Sequence, residues 1–127
     1  MTYSQIFTVK DGYLLCITDG EVLDSESFIR WGLALVAKAQ ETRASKVLVD
    51  NRTFKLRLTP LDVITFADHM EKIGGNRLGL RLAVISCVQN LDVSRLVETA
   101  LVNRSASYKS FLNQKEAQEW LLGQPRN

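Results

Sequence analysis

The feature that most restricts this chain is a change of hydrophobic period that repeats along its length. Short, branched apolar runs such as Lys46-Val47-Leu48-Val49-Asp50 alternate with longer segments whose apolar residues recur every three or four positions. A run that is apolar at successive positions suits a strand covered on both faces, and a three-four stripe suits the helix that covers it. Strands and helices in alternation imply right-handed crossovers and a largely parallel sheet with helices packed against it.

The order of elements follows from turn and cap chemistry. Ile6, Phe7 and Val9 precede Asp11-Gly12, Tyr13 to Thr18 follows, and Asp19-Gly20 closes the run, so the first 22 residues read as an antiparallel hairpin. Asp24 caps a first helix with Phe28, Trp31, Leu35, Val36 and Ala39 turned inward, ending near Arg43. Lys46–Asp50 forms a central strand, and 51–58 is read as a loop. Thr59-Pro60 opens a second helix, with Asp62 favouring its positive terminus, Val63, Phe66, Ala67, Met70 and Ile73 buried, and Gly74-Gly75 as its stop.

Leu80–Cys87 is the next strand. Asn90 caps a third helix that buries Val93, Leu96, Val97, Ala100 and Leu101, and Ala106–Leu112 forms a last strand. Asn113 and Glu116 have the spacing of a capping box before a final helix carrying Ala117, Trp120 and Leu121. The expected fold is α/β, order β-β-α-β-α-β-α-β-α, with a mixed, mostly parallel five-stranded sheet and an antiparallel first strand. The whole of 1–127 reads as one domain.

Composition narrows the partners. At 127 residues and 46% apolar content, a domain of this size buries roughly two-thirds of its unfolded surface and needs no disulfide scaffold. Cys16 and Cys87, the only cysteines, lie in apolar runs and read as buried thiols of a reducing, cytoplasmic compartment. Sixteen basic against fourteen acidic residues is too balanced for nucleic acid. No signal peptide or membrane-spanning run is evident.

The Lys-Val-Leu-Val-Asp strand at 46–50, the terminal helix Lys115-Glu116-Ala117-Gln118-Glu119-Trp120-Leu121 and the element order over residues 3–122 resemble the small bacterial SpoIIAA-like proteins of the STAS superfamily. The resemblance implies a regulatory module without catalysis, and some relatives resemble lipid-binding domains. In anti-sigma-factor antagonists an Asp-Ser-Ser-Gly segment carries a phosphorylated serine at a helix start. Asp50 matches the strand-ending aspartate, the Ser-Ser-Gly is missing, and Thr59 is the nearest hydroxyl to the phosphoacceptor position. Thr53 and Ser27 are weaker alternatives.

Arg52, Lys55 and Arg57 form a cationic stretch without acidic residues between 51 and 58. Residues 51–110 hold nine basic and five acidic side chains, against five and seven in 1–50, an asymmetry suited to orienting a protein partner or attracting an anionic ligand. Open α/β sheets bind ligands beyond the carboxyl ends of their strands. Asp50, Arg52, Lys55, Arg57 and Thr59 are therefore the candidate binding residues, with Thr59 doubling as helix cap.

Other chemistry has little support. His69 is a lone mid-helix histidine, neither cysteine has metal-ligand spacing, and no metal or cofactor is expected. Gly74-Gly75-x-x-x-Gly79 follows a helix and precedes a strand, the reverse of a phosphate loop. Arg77 and Arg81 flank a strand start and read as structural. Trp31 and Trp120 read as packing residues, and a Trp31 face left open would suggest a dimer.

The leading expectation is a regulatory or protein-interaction module, with a protein partner or homodimer, recognised through 50–62. A carrier or sensor of a small apolar or anionic, lipid-like ligand is the alternative, with Val63, Phe66, Val93 and Val97 lining its pocket. An enzyme is the third, with Asp50 and Arg52 as its first candidates.

Overall fold

Turn geometry sets the start of the fold. Gly12, at φ +88°, sits in the two-residue turn joining β1 (Tyr3–Lys10) to β2 (Tyr13–Val22), which pair antiparallel with Lys10 opposite Tyr13. At the other end Gly20, φ +124°, lies opposite Tyr3, where a Cβ would stand 2.6 Å from the Tyr3 Cα. Only glycine lets the strands close there. The computed structural model describes residues 2–75 and 78–123.

Helix α1 (Ser25–Thr42) starts where the Asp24 carboxylate accepts from the Ser27 N–H at 2.7 Å, and it stops at left-handed Arg43. Then come β3 (Lys46–Leu56), α2 (Pro60–Lys72), β4 (Arg81–Ile85), a 3-10 turn (Val88–Asn90), α3 (Leu91–Val102), β5 (Ser107–Phe111) and α4 (Gln114–Leu122). The strands lie in the order β1-β2-β3-β4-β5, parallel except for β1.

Each crossover steps to the next strand in the same direction, so right-handedness places α1, α2 and α3 together on one face. There Trp31 and Phe28 stack at 5.2 Å, Phe66 packs on Phe28, and Phe54 reaches Trp31. The indole N–H of Trp31 donates to buried Thr18 Oγ1 at 2.9 Å, which satisfies both polar atoms inside the core. Helix α4 returns to the opposite face, where Ala117 and Leu121 cover Leu48, Ala83 and Ile85. Arg81 stacks 3.7 Å from the Trp120 ring and donates to the Trp120 carbonyl at 2.7 Å, tying α4 to the start of β4.

The fold class and element order are those expected from the sequence, with several corrections. Residues 51–56 are strand rather than loop. Opposite Ile17–Asp19 on β2, strand β3 runs from Asp50 to Thr53, one residue more, and this bulge changes the phase of its alternation. Val49 and Asn51 point to the helices before it, Phe54 and Leu56 after it, so the run does not read as one strand. Strands β4 and β5 are shorter than expected. Ile73 and Leu96 are exposed, since one falls past the last turn of α2 and the other on the outer flank of α3. Asn90 makes no cap to α3, its side chain being taken by β3. Trp120 is only partly buried. Trp31 is fully enclosed, so its face is not open to a second chain. Arg77 lies outside the described residues.

Candidate functional site

The segment singled out from the sequence divides into three parts. Asp50 stands mid-strand, not at the end of β3, between Ile17 and Ile85 of its neighbours. Arg52, on the far side of the bulge, folds back onto it: Nε and Nη2 donate to the two carboxylate oxygens at 3.0 and 2.8 Å, and the Arg52 N–H donates at 3.2 Å. These hydrogen bonds, chiefly from the guanidinium, hold the Asp50 carboxyl below its ordinary pKa despite partial burial. The pair is a closed, bidentate unit.

The second part is the end of β3, which extends past β4 and is paired there only with β2. Lys55 and Arg57 are exposed, with Lys55 opposite Glu21 and Arg57 Nε donating to Glu21 Oε1 at 2.9 Å. Asp50 of β3 and Glu21 of β2 thus pair with Arg52 and Arg57 and offset two of the three positive charges of the stretch. Two segments far apart in the sequence meet here, which a local reading of charge does not register.

The third part is the start of α2. Thr59 Oγ1 accepts from the Asp62 N–H at 3.1 Å, and the Asp62 carboxylate accepts from the Thr59 N–H at 2.9 Å, a complete capping box with Pro60 in the first turn. Below it, Asn90 Nδ2 donates to the Phe54 carbonyl and Oδ1 accepts from the Leu56 N–H at 3.2 Å. A side chain between β4 and α3 therefore satisfies the backbone of the β3 extension that no fourth strand reaches.

Sequence reading missed the aliphatic residues around these groups. Strands β2 to β5 run parallel, so the connections after each lie at one edge of the sheet. Leu23 follows β2, Leu61 opens α2 after β3, Val88 follows β4, and Leu112 follows β5; all four are 46–73% exposed. Each alone resembles an ordinary loop residue, and topology assembles them.

A cavity of about 70 Å³ lies at the opposite edge, among Leu35, Phe66, Met70, Leu82, Leu101 and Tyr108. Of the residues expected to line a pocket, only Phe66 does so. Arg104 lines it too, held by Asp68 at 2.7 Å, and burial pushes the Tyr108 hydroxyl above its ordinary range, Glu98 adding to the effect. Among the described residues no three His, Cys, Asp or Glu side chains gather as metal ligands, and no helix is long and apolar enough to cross a membrane.

With this geometry in hand, solved structures supply a match. An anti-sigma factor antagonist from Mycobacterium paratuberculosis superposes with a TM-score of 0.59 over 94% of this chain and 93% of that one, at 13% identity. The chain has a SpoIIAA-like fold. A protein of the DUF3478 family with a SpoIIAA-like fold, from Shewanella loihica PV-4, matches with a TM-score of 0.56 and 17% identity, again covering 94% and 93% of the two chains. No protein-family description and no curated protein matches the sequence.

Proposed function

We propose that this protein is a regulatory interaction module without catalysis, docking a protein partner through the carboxyl edge of its sheet. The observation that carries the reading is that Leu23, Leu61, Val88 and Leu112, each exposed, follow the carboxyl ends of four adjacent parallel strands. Separate loops that each offer one aliphatic side chain make an apolar centre, and Arg52, Lys55 and Arg57 make a polar rim, the composition of a protein-binding patch. Similarity in fold to an anti-sigma factor antagonist supports the same class of role. Two free cysteines suit a reducing compartment such as the cytoplasm.

In this reading Asp50 sets the orientation of Arg52, and Arg57 and Lys55 steer the partner. Thr59 is the hydroxyl a partner kinase would modify: it is exposed and stands at a helix start, but its phosphate would displace the Asp62 cap and meet that carboxylate. Modification would therefore remodel the first turn of α2, beside Leu61.

The test is capture of partners from native cells by wild type and by the Leu61→Asp, Val88→Asp double variant. A stoichiometric partner retained by the first and lost from the second supports the reading. Equal retention by both places binding elsewhere and contradicts it.

The cavity favours a second reading, a sensor of a small apolar ligand. An engineered cavity that accepts benzene is roughly 150 Å³. At about 70 Å³ this one takes a small apolar group and not a lipid chain unless α2 moves. Native mass spectrometry of protein from its own cells tests it: an adduct lost on denaturation supports a ligand, and a bare mass contradicts one.

A further inference from the structure

We infer that β1 is a self-complementary edge through which two copies of this chain join their sheets about a two-fold axis at Ile6. Strand β1 is the end of the sheet, with β2 on one side only. The Glu21 N–H donates to the Thr2 carbonyl at 3.0 Å, which makes Thr2–Glu21 a hydrogen-bonded pair and sets the alternation along the hairpin. Ser4, Ile6, Thr8 and Lys10 then direct their backbone groups to β2, and Tyr3, Gln5, Phe7 and Val9 direct theirs outward.

These four outward residues are symmetric about Ile6. A second β1 laid antiparallel in that register pairs Tyr3 with the partner's Val9 and Gln5 with the partner's Phe7, every outward group meeting an outward group. Ile6 faces Ile6 of the partner subunit as the non-hydrogen-bonded pair, the closer of the two kinds.

Side chains agree with the backbone. Natural edges are blunted by charge, proline or a bulge; β1 runs eight residues with none of these before its terminal Lys10. Ile6 is 61% exposed on the face away from α1, beside exposed Ile17, and Val9 is 67% exposed on the other face. In the paired register Ile6 and Ile17 join their symmetry copies, and Val9 covers the partner's Tyr3. Lys10 comes opposite the partner's Thr2, so the only charge on the strand falls at the end of the paired stretch and meets no like charge across the axis.

Because residue 6 pairs with itself, charge exchange reads the axis directly. Sedimentation and native mass spectrometry are expected to give a dimer for wild type and monomers for Ile6→Lys and Ile6→Glu, with dissociation constants raised by about tenfold or more. An equimolar mixture of the two variants is expected to restore dimer as the mixed species alone. Val9→Pro removes an outward N–H and no bond within the hairpin, so it should weaken the dimer while circular dichroism stays unchanged. Wild type that stays monomeric at high concentration, or a dimer that survives Ile6→Lys, would overturn the inference. So would a mixture that fails to pair although both variants fold.

Discussion

The carboxamide of Asn90 accepts the Leu56 backbone N–H at 3.2 Å, although 34 residues separate them, and its amide nitrogen donates to the Phe54 carbonyl. Asn90 acts as a strand partner for a stretch of β3 that has outrun β4. Truncation to alanine leaves a buried donor and a buried acceptor without partners, at about 2–3 kcal/mol. Urea unfolding of Asn90→Ala is expected to show a lower midpoint at unchanged slope. A midpoint equal to wild type would mean that the extension does not depend on this side chain.

Thr59→Ala removes half of the capping box at the start of α2 and should cost about 1 kcal/mol. Thr59→Ser keeps the oxygen and is expected to retain most of the stability. The difference between the two unfolding midpoints measures the cap apart from the threonine methyl.

The Asp50 carboxyl is held below its ordinary pKa by Arg52, so the pair stabilises the fold above the unfolded carboxyl value near 4, and this contribution is lost as pH falls through the lower folded value. Stability measured from pH 7 down to pH 2 should therefore fall less steeply in Asp50→Asn than in wild type. Equal acid slopes would show that the ion pair carries no linkage.

Burial raises the Cys16 thiol to about 11, and its sulfur lies within the core beside Thr18 and Gln5. Cys87 is only partly buried, two residues beyond the carboxyl end of β4. Native protein treated with a thiol reagent at pH 8 should be labelled at Cys87 and spared at Cys16, and denatured protein at both. Labelling of native Cys16 would contradict the packing of β2 under α1.

Much of this architecture is legible in the sequence because local chemistry and global fold agree. Asp24, the Thr59-Pro60-Asp62 group and Asn113 each mark a helix start found in place, and Asp11-Gly12 marks the hairpin. Reading fails where a long-range partner overrides a local cue. Asn90 looks like a cap and serves β3 instead, and the bulge after Asp50 breaks a period of two that would have revealed the rest of the strand. Cations at 52–57 look unopposed until β2 places Glu21 beside them. Exposed aliphatics at the carboxyl edge are invisible as a group, because only the parallel order of β2 to β5 brings their loops to one side.

The central claim is that this edge is the docking surface, and site-specific photo-crosslinking in native cells tests it most directly. With the photoreactive residue placed at Leu61 or at Val88, the same protein should be trapped from both positions, and not from Glu41 at the opposite end of the sheet. Adducts that are absent at 61 and 88, or equally abundant at 41, would contradict the account.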